Sequence, residues 1–118
     1  MTILNENSSA LYTASLKDPE GVAVTKDMLE SLSLTWYDPD REDEIVNGRE
    51  VQDVFDTNNV TIDVNGVLSW EIQPEDTIIL NATKRFERRK ALFHFVWSEG
   101  EHFHEASISI RNLHLVPE

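Results

Sequence analysis

Along most of this chain apolar residues recur at every second position, in short runs that stop at turn-forming residues. Successive side chains of an extended segment point to opposite faces, so each such run has one apolar and one polar face. A chain written this way folds by packing the apolar faces of strands against one another. Ala10, Tyr12, Ala14 and Leu16 form the first run, closed by Asp18-Pro19-Glu20-Gly21. Leu32, Leu34 and Trp36 form the second, stopped at Asp38-Pro39-Asp40. Between them Val24, Met28, Leu29 and Leu32 have helical spacing behind a capping Thr25, so a short helical turn competes there with extended chain.

Two Asn-Gly pairs mark turns. Ile45 to Val51 reads as a small hairpin turning at Asn47-Gly48. At Asn65-Gly66 parity decides the loop. A plain two-residue turn sets Ile62 opposite Ser69, whereas one extra residue sets Val60, Ile62 and Val64 opposite Ile72, Trp70 and Leu68. A one-residue slip sends every side chain to the wrong face, so the odd loop is expected, with Gly66 in a left-handed bulge position. Further on, Ala91, Phe93, Phe95 and Trp97 alternate into a turn at Glu99-Gly100, and Ala106, Ile108 and Ile110 alternate out of it. That hairpin is expected to carry all seven on one buried face. Leu113 to Val116 form a last run before Pro117.

The sum is about seven or eight short strands with no alternation of strand and helix, which argues against a parallel sheet. Two antiparallel sheets packed face to face, an all-β immunoglobulin-like β-sandwich, bury these faces most simply. The 118 residues suit one domain, and a chain of this length buries roughly two thirds of its unfolded surface without a disulfide or metal. Residues 1–118 are therefore expected to form a single sandwich, with 1–8 as a flexible or extended arm. Trp36, Trp70 and Trp97 are all in phase with core-facing runs.

Absence of cysteine excludes disulfides, thiolate metal sites and cysteine nucleophiles, and fits a reducing compartment. Met1 to Asn7 lacks the basic-then-apolar order of a secretory signal, and no apolar run has the length of a bilayer span. A soluble protein made in the cytoplasm is expected. A net charge of −12 argues against nucleic acid or an anionic membrane as a partner for the whole surface. The charge is uneven. Five of the ten basic residues, Lys84, Arg85, Arg88, Arg89 and Lys90, fall in one segment, and Asp38 to Glu44 hold five carboxylates against one arginine.

No nucleophile elbow or phosphate-cradling glycine loop is present, so no catalytic residue is assigned and the chain is expected not to be an enzyme. His102 and His104 share one strand face, as two metal ligands would, but no third ligand joins them there. Histidines capping a core beside aromatic rings are the plainer account. Asp38, Asp40, Glu42, Asp43 and Glu44 offer hard oxygens for calcium but lack the glycine and spacing of an EF-hand loop. A solvated or charge-complementary loop fits better. Around Phe86 the basic segment suits an acidic protein surface better than nucleic acid, given the acidic background.

Leu68 to Ile72 leading into Gln73-Pro74-Glu75-Asp76 resembles the strand-E-to-F corner of immunoglobulin variable domains, where L-x-x-x-I runs into Q-P-E-D. Over Ala10 to Val116 the order of features is similar to small Ig-like proteins in the virion-structure gene clusters of tailed bacteriophages. The matching stretches are Leu16-Lys17-Asp18-Pro19-Glu20-Gly21, Ser31 to Asp38, Asn59 to Trp70 and the final aromatic hairpin. The resemblance implies a non-enzymatic head–tail neck, tail or capsid-associated component, made in the host cytoplasm and located in the virion. Its partners would be other virion proteins and copies of itself in a symmetric assembly, with no direct nucleic acid, no membrane and no cofactor. In that setting Lys84, Arg85, Phe86, Arg88, Arg89 and Lys90 are expected to meet Asp38, Asp40, Glu42, Asp43 and Glu44 of a neighbouring copy. A carbohydrate- or receptor-binding sandwich module, and a small metal-binding protein using His102 and His104, remain the alternatives.

Overall fold

The alternating runs become strands in the computed structural model, which describes residues 2–113. In chain order they are β1 (Thr2–Asn5), β2 (Ala10–Ser15), β3 (Leu29–Asp38), β4 (Glu44–Ile45), β5 (Gln52–Asp53), β6 (Val60–Ile62), β7 (Val67–Ile72), β8 (Phe86–Trp97) and β9 (Gly100–Arg111). One sheet runs β1-β9-β8-β3, with β4 and β5 both on the far edge of β3; the other runs β2-β7-β6. Sheet order G-F-C facing B-E-D defines an immunoglobulin-like sandwich, and β9-β8-β3 facing β2-β7-β6 reproduces it. The expected fold class is thus the observed one. Residues 2–5 of the expected arm are extended and pair in parallel with β9.

Between the sheets the alternation is kept strictly. Leu32, Leu34 and Trp36 of β3 and Ala91, Phe93, Phe95 and Trp97 of β8 are buried, as are Leu68, Trp70 and Ile72 across from them. Trp70 stands edge-on to Trp36 at 5.0 Å and to Phe93 at 5.9 Å, the arrangement favoured by ring quadrupoles. All three tryptophans belong to the core, as their phase predicted.

Parity was legible, but register was not. In the β8–β9 hairpin Trp97 lies opposite Gly100, Phe95 opposite His102 and Phe93 opposite His104. The turn is therefore Ser98-Glu99, not Glu99-Gly100. Gly100, opposite Trp97, is extended (φ 158), and a Cβ there would make only an ordinary van der Waals contact with the indole at 3.7 Å. The predicted apolar set still shares one buried face, because the slip is by two residues. At the other Asn-Gly turn the odd loop and left-handed Gly66 (φ +81) are present, with each partner on β7 two residues earlier than expected. Val60 pairs with Trp70 and Ile62 with Leu68, leaving Val64 exposed in the loop. Asp63 causes this: its carboxylate accepts the amides of Asn65 and Val67, each at 2.9 Å, and closes the turn early. Only glycine fits at 66, where a Cβ would stand 2.1 Å from the Val24 carbonyl oxygen.

The predicted hairpin at Asn47-Gly48 is not formed. The tight turn exists, with both residues left-handed (φ 54 and 66), but its flanks do not pair with each other. Instead β4 and β5 lie one after the other along β3, as one edge strand interrupted by an excursion. Arg49, drawn inward at the tip of that excursion, is the reason. Val51 takes up the return at φ 45, a strained conformation for a β-branched residue. Near Thr25 the chain makes a single helical turn, Leu29 N–H bonding to the Thr25 carbonyl at 3.2 Å, and no α-helix forms among the described residues. The expected run Leu113 to Val116 lies, after Leu113, outside the described residues.

Candidate functional site

Two charged runs that looked like opposite ends of an intermolecular contact meet inside the same chain. β3 carries its inward parity past Leu34 and Trp36 to Asp38, and β8 carries its own back from Ala91 to Arg89 and Glu87. All three charged residues are buried, at 1%, 0% and 2% exposure. Arg89 donates from Nη1 to Asp38 at 2.9 Å and from Nη2 to Glu87 at 2.6 Å, and also to the carbonyls of Arg88 and Ile78. One cation faces two carboxylates here, and backbone donors balance the excess. The amides of Leu80 and Asn81 bond Glu87, and the amide of Asp40 bonds Asp38. Burial pushes the Glu87 carboxyl up, but Arg89 and these amides outweigh it and hold it below the usual range.

Arg89 and Asp38 therefore cannot be the partner-binding residues expected from sequence; they are structural. Arg88 is exposed yet engaged, clamping Asp40 through two bonds of 3.0 and 2.7 Å. Arg88 holds the Asp40 carboxyl below its ordinary range by that hydrogen bond. Lys90 pairs with Glu105 at 3.0 Å and Glu44 with Arg41 at 3.8 Å. Three of the five carboxylates proposed for calcium, Asp38, Asp40 and Glu44, are thus turned to three different arginines. Of the expected contact residues, Lys84, Arg85, Phe86, Glu42 and Asp43 remain exposed without an ion pair among the described residues. Glu42 and Asp43 are both left-handed, at φ 57 and 58.

A second buried network was missed by sequence reasoning. Asp76, at the end of the 3-10 turn Pro74–Asp76, receives Arg49 in a fork of 2.6 and 3.0 Å. Asn47 and the Gln73 amide complete its shell, and Trp36 donates its indole N–H to the Asp76 carbonyl at 3.0 Å. The Arg49 guanidinium also lies 5.6 Å from the Trp70 ring centre. The signal was present in the Q-P-E-D corner, whose aspartate had no assigned partner.

His104 and His102 do lie on the core-facing side of β9. His104 Nε2 is 2.6 Å from the Tyr12 hydroxyl and the ring packs beside Phe93, while His102 sits edge-on to Phe95. No group of three or more metal-binding side chains gathers among the described residues. Burial lowers the His104 pKa. The neutral ring is favoured in the fold, so the unfolded chain takes up this proton first as pH falls. Stability is then expected to decline as pH drops below about 6.5 and to level off below the lowered folded value. Urea midpoints followed from about pH 7.5 to about pH 5 test it: His104→Gln should flatten this slope, and an unchanged slope excludes His104 as its source.

Outside the core, the β1-β9-β8-β3 sheet carries exposed apolar side chains on its outer face. Phe103 (50% exposed) stacks on His94 at 4.5 Å, and at the far end Phe86 (47%) follows Lys84 and Arg85, with Ile3 (61%) two strands away on the same face. No helix among the described residues is long and apolar enough to cross a membrane.

No protein-family model matches the chain, and no curated protein does. Among solved structures it is similar to the I-band fragment I67-I69 from titin, at 12% identity and a TM-score of 0.38. That alignment covers 93% of this chain, which spans only 28% of the titin fragment.

Proposed function

We propose that the protein is a non-enzymatic structural component of a tailed-phage virion, acting through protein–protein contacts. The observation that carries the contact reading is exposed Phe86 following Lys84 and Arg85, two exposed cations with no ion pair among the described residues, with exposed Ile3 on the same sheet face two strands away. Apolar side chains supply the area and the unpaired cations set orientation against an acidic surface. The virion assignment rests on the ordered sequence resemblance from Ala10 to Val116. Because Asp38 and Asp40 are turned to Arg89 and Arg88 in the same chain, the complementary acidic surface belongs to a different virion protein, or to Glu42 and Asp43 of a neighbouring copy. The tryptophans that a sugar-binding surface would use are in the core, which leaves the carbohydrate reading without a platform.

Purified particles of the phage encoding the chain provide the test. The protein should co-sediment with them, and the double substitution Lys84→Glu, Arg85→Glu should fold normally and be lost from the particle. Normal incorporation of that variant removes the basic end from the contact. Absence of the wild-type protein from particles overturns the virion assignment itself.

A further inference from the structure

Sheet edges in this molecule are blunted in recognisable ways, with one exception. β1 has four residues, and β4 and β5 have two each, separated by the Arg49 excursion. β6 is short and its outward amides are already used: Val60 donates to the Thr57 carbonyl at 3.1 Å and Ile62 to the Asp56 carboxylate at 2.8 Å. Short strands and pre-empted donors are how edges avoid pairing with foreign chains. β2 has neither protection. It runs six residues, Ala10–Ser15, without a charge, a proline or a bulge, in a chain with 32 charged Asp, Glu, Lys and Arg side chains.

Its free groups can be assigned. Leu16 N–H donates to the Gly66 carbonyl, so the even-numbered residues of β2 turn their backbone groups toward β7. Leu11, Thr13 and Ser15 therefore point both N–H and C=O away from the sheet. All three are exposed, and they make no hydrogen bond to any other described residue at that edge.

We propose that β2 is a self-association edge, at which two copies of the chain join antiparallel about a two-fold axis through Thr13. Three outward residues at odd spacing are self-complementary under that operation. Thr13 faces Thr13 of the second copy and Leu11 faces Ser15, and each facing pair exchanges both backbone bonds. On the inner side Tyr12 then lies opposite Ala14 of the second copy, large against small. The three-stranded sheet of each copy continues into that of the other. A second copy suits this border because β2 is uncharged, so no charged side chain of one β2 faces a like charge of the other across the axis. The contact lies on the opposite sheet from Lys84, Arg85 and Phe86 and goes beyond the role proposed for them.

Sedimentation velocity from micromolar to millimolar protein should show a monomer–dimer equilibrium. Thr13→Pro removes the axial donors, which the monomer does not use, and should weaken association by roughly tenfold or more. Leu11→Lys with Ser15→Lys sets lysines against each other across the axis and should do the same. Circular dichroism and thermal melting check both folds. Hydrogen exchange on the wild type needs no variant: with rising concentration the amides of Leu11, Thr13 and Ser15 should gain protection, while Tyr12 and Ala14 are protected throughout. Lys84→Glu with Arg85→Glu should leave dimerisation unchanged. A wild-type monomer at every concentration, association indifferent to folded β2 variants, or no added protection at the odd amides overturns the proposal.

Discussion

Replacing Arg89 by alanine is expected to cost about 3–5 kcal/mol of folding stability, because it leaves two buried carboxylates without their cation. Asp38 and Glu87 are 1% and 2% exposed, so water cannot take the guanidinium's place without opening the end of the sandwich. For a domain whose total stability is about 5–15 kcal/mol, the variant should unfold at much lower urea or fail to accumulate. Arg88→Ala is the control. It removes a charge from the same segment, but Arg88 and Asp40 are both open to solvent, so the loss should be far smaller. Neutralising the network as a whole, with Asp38→Asn and Glu87→Gln beside Arg89→Met, should recover part of the loss because no bare charge is left buried. Urea midpoints decide the matter. A loss well under 1 kcal/mol for Arg89→Ala would show that solvent reaches the network. The same logic sets an acid limit: Glu87 is held below the usual carboxylate range, so its stabilisation is complete above that range and disappears as pH falls through it. This window opens at lower pH than that of His104.

Trp70→Ala is expected to cost about 3–5 kcal/mol, through lost burial and the cavity left between the sheets. Trp70 is fully buried and touches both Trp36 and Phe93 edge-on, so its removal takes one ring from a cluster of three. Its indole N–H has no hydrogen-bond partner among the described residues, so Trp70→Phe loses volume but no bond there and should cost much less. Denaturant unfolding of the two variants, with near-ultraviolet circular dichroism to follow the ring packing, distinguishes them. If Trp70→Ala costs less than about 1 kcal/mol, the ring is not part of the core.

Much of the fold was legible because β-structure has a period of two. Phe93, Phe95, Trp97, Ala106, Ile108 and Ile110 declared a common face whatever the register, and Val60, Ile62, Leu68, Trp70 and Ile72 did the same. Register was less legible because slips by two residues preserve the pattern, and what chose among them was local. At Asn65-Gly66 the Asp63 carboxylate closes the turn before Gly66. The candidate site was the least legible part. Asp38 and Arg89 each continue the inward parity of a strongly apolar strand, yet charge marked them as surface residues.

The sequence by itself determined that apolar faces of short antiparallel strands would close into a sandwich, that its tryptophans would be inside, and that Gly66 would be left-handed. Those outcomes follow from interactions between near neighbours in the chain and from the period of an extended backbone. Only the tertiary structure decided which charges are free. A buried cation is tolerable when carboxylates and carbonyls converge on it, and the groups that converge on Arg89 and Arg49 come from segments separated by up to 51 and 27 residues. Which strand edge remains open is likewise a property of the assembled sheet. Leu11, Thr13 and Ser15 are left over because no other described segment folds back to cover them, something no pattern within β2 itself encodes.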